Sequence, residues 1–393
     1  MTEHDQNTIE EQAINYILDL GLEDGLPRVS EMLANAAMLF QRAAHLQAAP
    51  HERSETRRGH ANGFKPRSLN TALGRLELRV PQTRGCEPYR PTLFEKGSRT
   101  ERSLKAAIAE MYIQGVSTRK VAGVMKKMCG MDVSSTQVSR LTAELDGEFE
   151  KWRNRPLPEI AHLVLDAIFV KVRIDGTVRD CAVFIAVGVR RDDGRRMILG
   201  VSTGLSEAEV HWRAFLVSLK ERGIGIPDSV TSDAHEGLKA ALRATMNSSP
   251  WQRCQFHLQQ NAQAYVPKVE MRGEVARDIR SVFNSEDIAS AGERLERIVA
   301  KYGKSAPKLS DWLESSIPEG LTVFSLPAER RRRLRTSNTC ERLNREVRRR
   351  ERVVGLFPNE ASALRLVTAI LMEISEEWET GRRYLPLPGA GEN

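Results

Sequence analysis

Aromatic residues make up only 6% of this 393-residue chain, and no stretch of it stays apolar for long. The longest apolar run, CAVFIAVGV (181–189), falls far short of the roughly 18 residues a membrane-spanning helix needs. The opening MTEHDQNTIEEQ is polar and acidic, unlike a secretory leader, so a cytoplasmic protein is expected. Cys86, Cys129, Cys181, Cys254 and Cys340 are scattered and form no CxxC pair. That excludes a disulfide framework and a structural zinc module. No GxxxxGK followed by Ser or Thr occurs, which removes P-loop ATP chemistry, and GxSxG is missing too. None of the eight histidines has an arginine three residues on, as a tyrosine recombinase requires. Tyr384, after Arg382 and Arg383, is therefore a weak nucleophile candidate.

What is present is a core and a concentrated charge. Forty per cent of the residues are apolar, and the length implies two or three domains. Of the net +7, residues 330–352 hold eleven arginines against three glutamates, a local +8, so the remainder sums to about −1. Charge this dense needs solvent, counter-ions or a polyanion, and nucleic acid is the usual polyanion.

Residues 1–46 carry two helical patterns separated by GLEDGLPR. The second sets Leu33, Ala37, Phe40 and Ala44 at helical spacing, for a core or a second copy of the chain. Residues 47–66 read as a linker or exposed loop, and ALGRLELRVP as a half-buried strand ended by Pro81 within a small β segment reaching residue 99. Residues 100–150 hold three short helices; the turn at Gly130 and the start SSTQVSR have helix-turn-helix proportions. Arg119, Lys120, Ser135, Thr136 and Arg140 are its candidate DNA contacts.

From 161 to 204 three apolar runs are joined through Asp175-Gly176 and Asp193-Gly194, the hairpin signal of an antiparallel meander. A helix opens with Ser206 and Glu209 at capping-box spacing, then come strand DSVTSD, a helix near 236–246 and the strand-like WQRCQFH. That order suits an α/β, ribonuclease-H-like fold over 158–257 and 331–380, interrupted by an all-helical insertion at 258–330. Residues 381–393 read as a loose tail.

One residue stands out in this pattern. HLVLDAIFVKV (162–172) is almost entirely apolar, yet Asp166 sits in its middle. A buried carboxylate costs several kcal/mol unless it is paired or binds a cation. In such a fold Asp233 ends the neighbouring strand, so two carboxylates would meet and disfavour each other's ionisation unless a cation intervenes. Hard oxygen ligands suit Mg²⁺, with Mn²⁺ as substitute. Each aspartate also has a bland reading, Asp166 paired with an arginine or backbone and Asp233 as a helix cap. A third ligand is expected from the later helix. Glu341 lies in its first turn, with Arg342, Arg345, Arg348 and Arg349 following to meet a phosphate backbone. Glu346 and Glu351 compete, and Asn338 with Glu341 has capping-box spacing. Cys254 and His257 alone are a weak metal signal, and His235 reaches the same cleft or sits in a loop.

Four ordered blocks, LDAIFVKVR, SDAHEGLKAAL, WQRCQFHLQQN and the segment from SNTCERLNREVRRR to EISEEW, resemble those of Mutator-type transposases of bacterial insertion sequences. The resemblance runs from about residue 65 to 380. It implies an acid triad at Asp166, Asp233 and Glu341, a helical insertion before the glutamate, and a C/D-x-x-H element at Cys254 and His257. LQQN after the histidine is less basic than that family leads one to expect. Implied too are two-metal phosphoryl transfer without a covalent protein–DNA intermediate, terminal inverted repeats and target DNA as partners, a homodimer or larger assembly, and work at the bacterial nucleoid. Two rivals use the same features: a ribonuclease-H-like nuclease without strand transfer, and a non-catalytic DNA-binding protein of transposase descent.

Overall fold

The computed structural model describes residues 3–93, 100–130 and 132–385. The chain divides into two compact units, Met1–Glu144 and Leu145–Asn393.

In the first unit, α1 (Glu3–Leu46) is interrupted at Gly21, whose φ of 74° lies outside the helical region. Four residues on, a Cβ at Gly25 would sit 2.7 Å from the Tyr16 carbonyl, so the two halves fold closely on each other. β1 (His60–Thr71) and β2 (Gly74–Arg84) form an antiparallel ribbon. Leu76, Leu78 and Val80 point inward, as their alternation predicts, onto Ala34 and Met38 of α1.

Two expectations change here, and a choice left open for α1 is narrowed. Residues 60–66 are not linker but the start of β1, whose backbone is satisfied by pairing with β2 although its side chains stay exposed. Pro81 does not end β2. The outward N–H groups of Glu77 and Arg79 are taken by Glu31 and Asn35 of α1, at 2.6 and 2.8 Å. Pro81 shares their parity, so its missing donor removes no ribbon hydrogen bond. Leu33 and Phe40 are 51% and 69% exposed, because the ribbon takes the neighbouring helix face.

α2 (Arg102–Ile113), α3 (Thr118–Cys129) and α4 (Ser135–Ala143) pack around Leu104, Ile108, Val121, Met125 and Val138. Ser117 caps α3, Gly130 ends it at a left-handed φ of 63°, and Ser134 with Gln137 closes a capping box on α4.

The second unit opens with α5 (Asp146–Arg153) and a five-stranded sheet. β3 (Ile160–Ile174), β4 (Thr177–Arg190) and β5 (Arg196–Gly204) form the expected meander. Asp175 and Gly176 both take positive φ, 48° and 78°, as a two-residue I′ turn demands. α6 (Glu209–Glu221) starts later than the sequence suggests. Ala208 holds the cap position, and Glu209 pairs with Arg213 rather than closing a box with Ser206. β6 (Ser229–Ser232) runs parallel to β3, α7 (Glu236–Thr245) crosses over, and β7 (Trp251–Arg253) runs parallel to β6. The strand order is β5-β4-β3-β6-β7.

β7 stops at Arg253, not at His257. Cys254 is the N-cap of α8 (Gln255–Ala262), so QFH belongs to a helix whose first turn buries Leu258. α9 (Arg272–Phe283), α10 (Ile288–Tyr302), α11 (Pro307–Ser316) and α12 (Ala328–Leu334) gather around Val275, Ile279, Leu295, Leu309 and Leu313. α13 (Asn338–Val354) and α14 (Glu360–Thr380) follow. α14 is tied to the sheet by Ser375, which accepts from the Ile198 N–H at 3.0 Å, and to α5 by a bidentate Arg365–Asp146 pair.

Within 381–393, read as a loose tail, Tyr384 and Leu385 are held. Both their N–H groups donate to the Gly194 carbonyl at 3.0 Å, and Leu385 is fully buried. Residues 386–393 lie outside the described residues. Among the described residues no helix is long and apolar enough to cross a membrane, and no disulfide joins any of the five cysteines.

Candidate active site

The sheet register accounts for where two carboxylates fall. The last pair between β3 and β6 is Val164 with Thr231. Asp166 and Asp233 each lie two residues further on, so they share a level and a sheet face on neighbouring parallel strands. Up to this point β3 is buried on both faces; beyond it burial alternates, with Ile168 and Val170 buried and Phe169 40% exposed. The next strand continues the row, for Ser232 pairs with Arg253 and Cys254 follows.

Asp166 accepts the side-chain N–H of Asn344 at 2.7 Å and its neighbour's backbone N–H at 3.0 Å. Burial pushes its carboxyl up to about 6, with the Asp233 charge adding to the rise; Asn344 and His257 oppose it. No arginine pairs with it among the described residues. Asp233 accepts from the Ala234 N–H at 2.7 Å. It does not cap α7, because His235 occupies that position and accepts from the Gly237 N–H. His235 also stands 3.7 Å from Glu207, whose carboxyl is raised by burial and by Asp233 against the opposing His235.

Glu341 does not close a capping box either. Ser337 is the N-cap of α13 and Asn338 its first helical residue, so the spacing belongs to no cap. One carboxylate oxygen of Glu341 is buried without a hydrogen-bond partner. Asn344, one helical turn further on, holds Asp166, so Glu341 stands on the α13 face turned toward that aspartate. Glu346 is occupied by Arg349 at 3.0 Å.

Cys254 and His257 face each other across the first turn of α8. The His257 imidazole is raised to about 9, chiefly by pairing with the Cys254 sulfur, then by Asp233 and Asp166, against its desolvation. The Cys254 thiol is lowered: burial raises it, but His257 and Ser337 outweigh that. Ser337 donates both its N–H and its hydroxyl to the sulfur at 3.3 Å. Thr231 bonds the Leu334 carbonyl at 2.7 Å and the Gln255 N–H bonds that of Arg335 at 3.0 Å. The entry to α13 is thus stitched to the strand ends beside the aspartates. Sequence reasoning missed Asn344 and Ser337. Asn344 had a signal, three residues after Glu341 on one helix face; Ser337 had none, 83 residues from its partner.

Among the described residues no three His, Cys, Asp or Glu side chains stand close enough to hold a metal ion as a set. Arg342, Arg345, Arg348 and Arg349 are exposed on α13; Arg342 approaches Glu377 at 3.8 Å and Arg349 pairs with Glu346. Arg119, Lys120, Thr136 and Arg140 are exposed on α3 and α4, and the Ser135 side chain lies outside the described residues.

The sequence pattern of the family described as "Transposase, Mutator family" matches residues 1–381. The chain is 49% identical over 377 residues to the transposase for insertion sequence element IS406 of Burkholderia multivorans, covering 95% of this chain and 96% of that protein. It is 36% identical over 388 residues to the transposase for IS256 in transposon Tn4001 of Staphylococcus aureus, covering 96% and 97%. The Drosophila P element transposase strand transfer complex overlays with a TM-score of 0.31 and 10% identity over 74% of this chain and 81% of that one, a level that adds nothing to the fold. A full-length pattern match and relatives this close over their whole length place this chain in the Mutator family of insertion-sequence transposases.

Proposed function

We propose that the chain cleaves and joins DNA at the ends of an insertion sequence, using Asp166, Asp233 and Glu341 on a ribonuclease-H-like sheet. In this reading residues 258–330 are the helical insertion, and α2–α4 form a helix-turn-helix that reads the terminal inverted repeats. The supporting observation is the register, which sets Asp166 and Asp233 level on adjoining strands with a partnerless oxygen of Glu341 on the facing helix.

The chemistry of the donors suits a divalent cation, which would have to draw Asp166, Asp233 and Glu341 together from where they stand. All three donors are carboxylates, one Glu341 oxygen is unsatisfied, and among the described residues the half-buried Asp166 has no arginine to balance its charge. Mg²⁺, or Mn²⁺ in its place, would activate the attacking water or 3′-hydroxyl and balance charge on the leaving oxygen. The protein's own contribution is positional. Asn344 fixes the Asp166 carboxylate, and the Ser337–Cys254 bonds fix the start of α13 and hence Glu341. Arg342, Arg345, Arg348 and Arg349 hold DNA backbone beside the acids. Cleavage and joining are then one in-line displacement with different nucleophiles.

A strand-transfer assay separates this reading from a plain nuclease and from a non-catalytic DNA-binding protein. With Mg²⁺ and pre-cleaved inverted-repeat ends, joined products are expected, and chelation should abolish them. Hydrolysis without joining would identify a nuclease; neither product would leave only DNA binding.

Two ends must be brought together, and α1 offers the surface for a second copy. Leu26, Leu33 and Phe40 are 39%, 51% and 69% exposed at seven-residue intervals, the spacing of a helix–helix seam. Leu33→Glu with Phe40→Glu should yield monomers by light scattering while thermal stability stays within about 0.5 kcal/mol, since neither side chain is buried. An unchanged dimer mass would rule out this seam.

A further inference from the structure

The second unit carries a gathering of positive charge of which the reading above uses only Arg342. Arg196 opens β5, and its guanidinium carbon lies 4.3 Å from the ring centres of both Trp378 and Tyr384. Arg333, near the end of α12, stands 5.2 Å over the Tyr384 ring. Tyr384 is itself fixed, its N–H donated to Gly194 and its hydroxyl to the Arg333 carbonyl at 3.1 Å. Arg342 adds a third charge: it lies one helical turn after Thr339, whose hydroxyl is 3.4 Å from that of Tyr384. Glu377 approaches Arg342 at 3.8 Å with both side chains more than 60% exposed, a pair worth little in water. Among the described residues neither Arg196 nor Arg333 has a carboxylate within 4 Å.

Three cations facing one weakly held carboxylate repel one another, and an anion between them relieves that. The chemistry favours phosphate. A guanidinium stacked on aromatic rings is oriented while its N–H edge remains free to bind two oxygens at once. The location favours a strand of DNA over a free ion. Arg342 also begins a row with Arg345 and Arg349 on one face of α13, a row about 10 Å long at the helical rise of about 1.5 Å per residue. With one phosphate per about 3.4 Å of axis on each strand, that row spans about three phosphates, and Arg196 and Arg333 add charge near Arg342, at the row's N-terminal end.

We infer that Arg196, Arg333 and Arg342, gathered about Tyr384, form a phosphodiester-binding subsite that holds the DNA strand where it passes the first turn of α13. The inference rests on the DNA-cleaving reading above and extends it to residues of β5 and α12.

The test is binding of the full chain to a duplex carrying the terminal inverted repeat, by fluorescence anisotropy between 50 and 200 mM salt, beside a cleavage assay. Removing one arginine–phosphate pairing lowers the slope of log affinity against log salt by about 0.9. Over that fourfold salt range Arg333→Ala should therefore lose about 3.5-fold less affinity than wild type, and Arg196→Gln with Arg333→Ala about 12-fold less. Arg333 is exposed, so its single variant remains informative even if the Arg196 change disturbs packing on Trp378. A wild type that binds and cuts, with the Arg333→Ala slope equal to its own, overturns the subsite. A wild type that neither binds nor cuts overturns the reading beneath it.

Discussion

Asp166→Asn is expected to stabilise the metal-free protein by about 3 kcal/mol at pH 7.5 while reducing DNA cleavage about a thousandfold or more. The stability gain follows from burial. The Asp166 carboxyl is pushed up to about 6 from an ordinary value of 3.8, and about two units correspond to about 3 kcal/mol. The sign is that of a raised acid. The folded state holds the proton more tightly than the unfolded one, so the ionised carboxylate destabilises the fold. That penalty is absent below about pH 4, grows as pH rises, and is complete above about pH 6. Asparagine cannot ionise and can still accept from Asn344, so the gap between variant and wild type should close as pH falls from 7 to 4. The loss of cleavage reflects a missing metal ligand, for which about 4 kcal/mol of lost transition-state stabilisation is the expected scale. Urea melts across pH, with and without Mg²⁺, check the first part, and Mg²⁺ should stabilise wild type only. A variant no more stable than wild type at pH 7.5 would show that the carboxylate is compensated within the protein.

His257→Gln should act in the opposite direction, destabilising the fold by on the order of 2–3 kcal/mol at pH 6 to 7. The imidazole is raised to about 9 from 6.5 by the Cys254 sulfur and by the charges of Asp233 and Asp166. A raised base stabilises the fold when protonated. Its contribution is fully present below about pH 6.5 and disappears as pH passes about 9, so variant and wild type should converge at high pH. Losing that positive charge also makes Asp166 harder to ionise, moving the acid limb of the cleavage profile to higher pH. Equal stability at pH 6 and pH 10 would exclude an imidazolium at this position.

These expectations draw on features the sequence showed unequally. Asp166 was visible because charge inside an apolar run is anomalous on its own. The strand order was visible because Asp-Gly turns and a short α/β alternation are local signals. Its level placement beside Asp233 was not, since register depends on where β6 ends, and DSVTSD does not mark that point. The Cys254 segment misled because Gln-Phe-His after a strand looks extended, yet it is the first turn of a helix whose Leu258 is buried by distant residues. β1 was hidden for the converse reason, since HANGFKP has no buried face and is a strand only because β2 lies beside it. Ser337 and the arginines around Tyr384 are brought together by tertiary contacts that no spacing announces. Leu33 and Phe40 share the right periodicity with a core helix, and only the position of the ribbon decides which face is covered.

The most direct test is Mn²⁺ binding to the full chain on inverted-repeat DNA, followed by electron paramagnetic resonance, for wild type and for Asp166→Asn, Asp233→Asn and Glu341→Gln. Bound Mn²⁺ in wild type, and its loss in each single variant, is the result predicted for three carboxylates serving one centre. Wild-type occupancy retained by Glu341→Gln would contradict it, leaving the α13 glutamate outside the site.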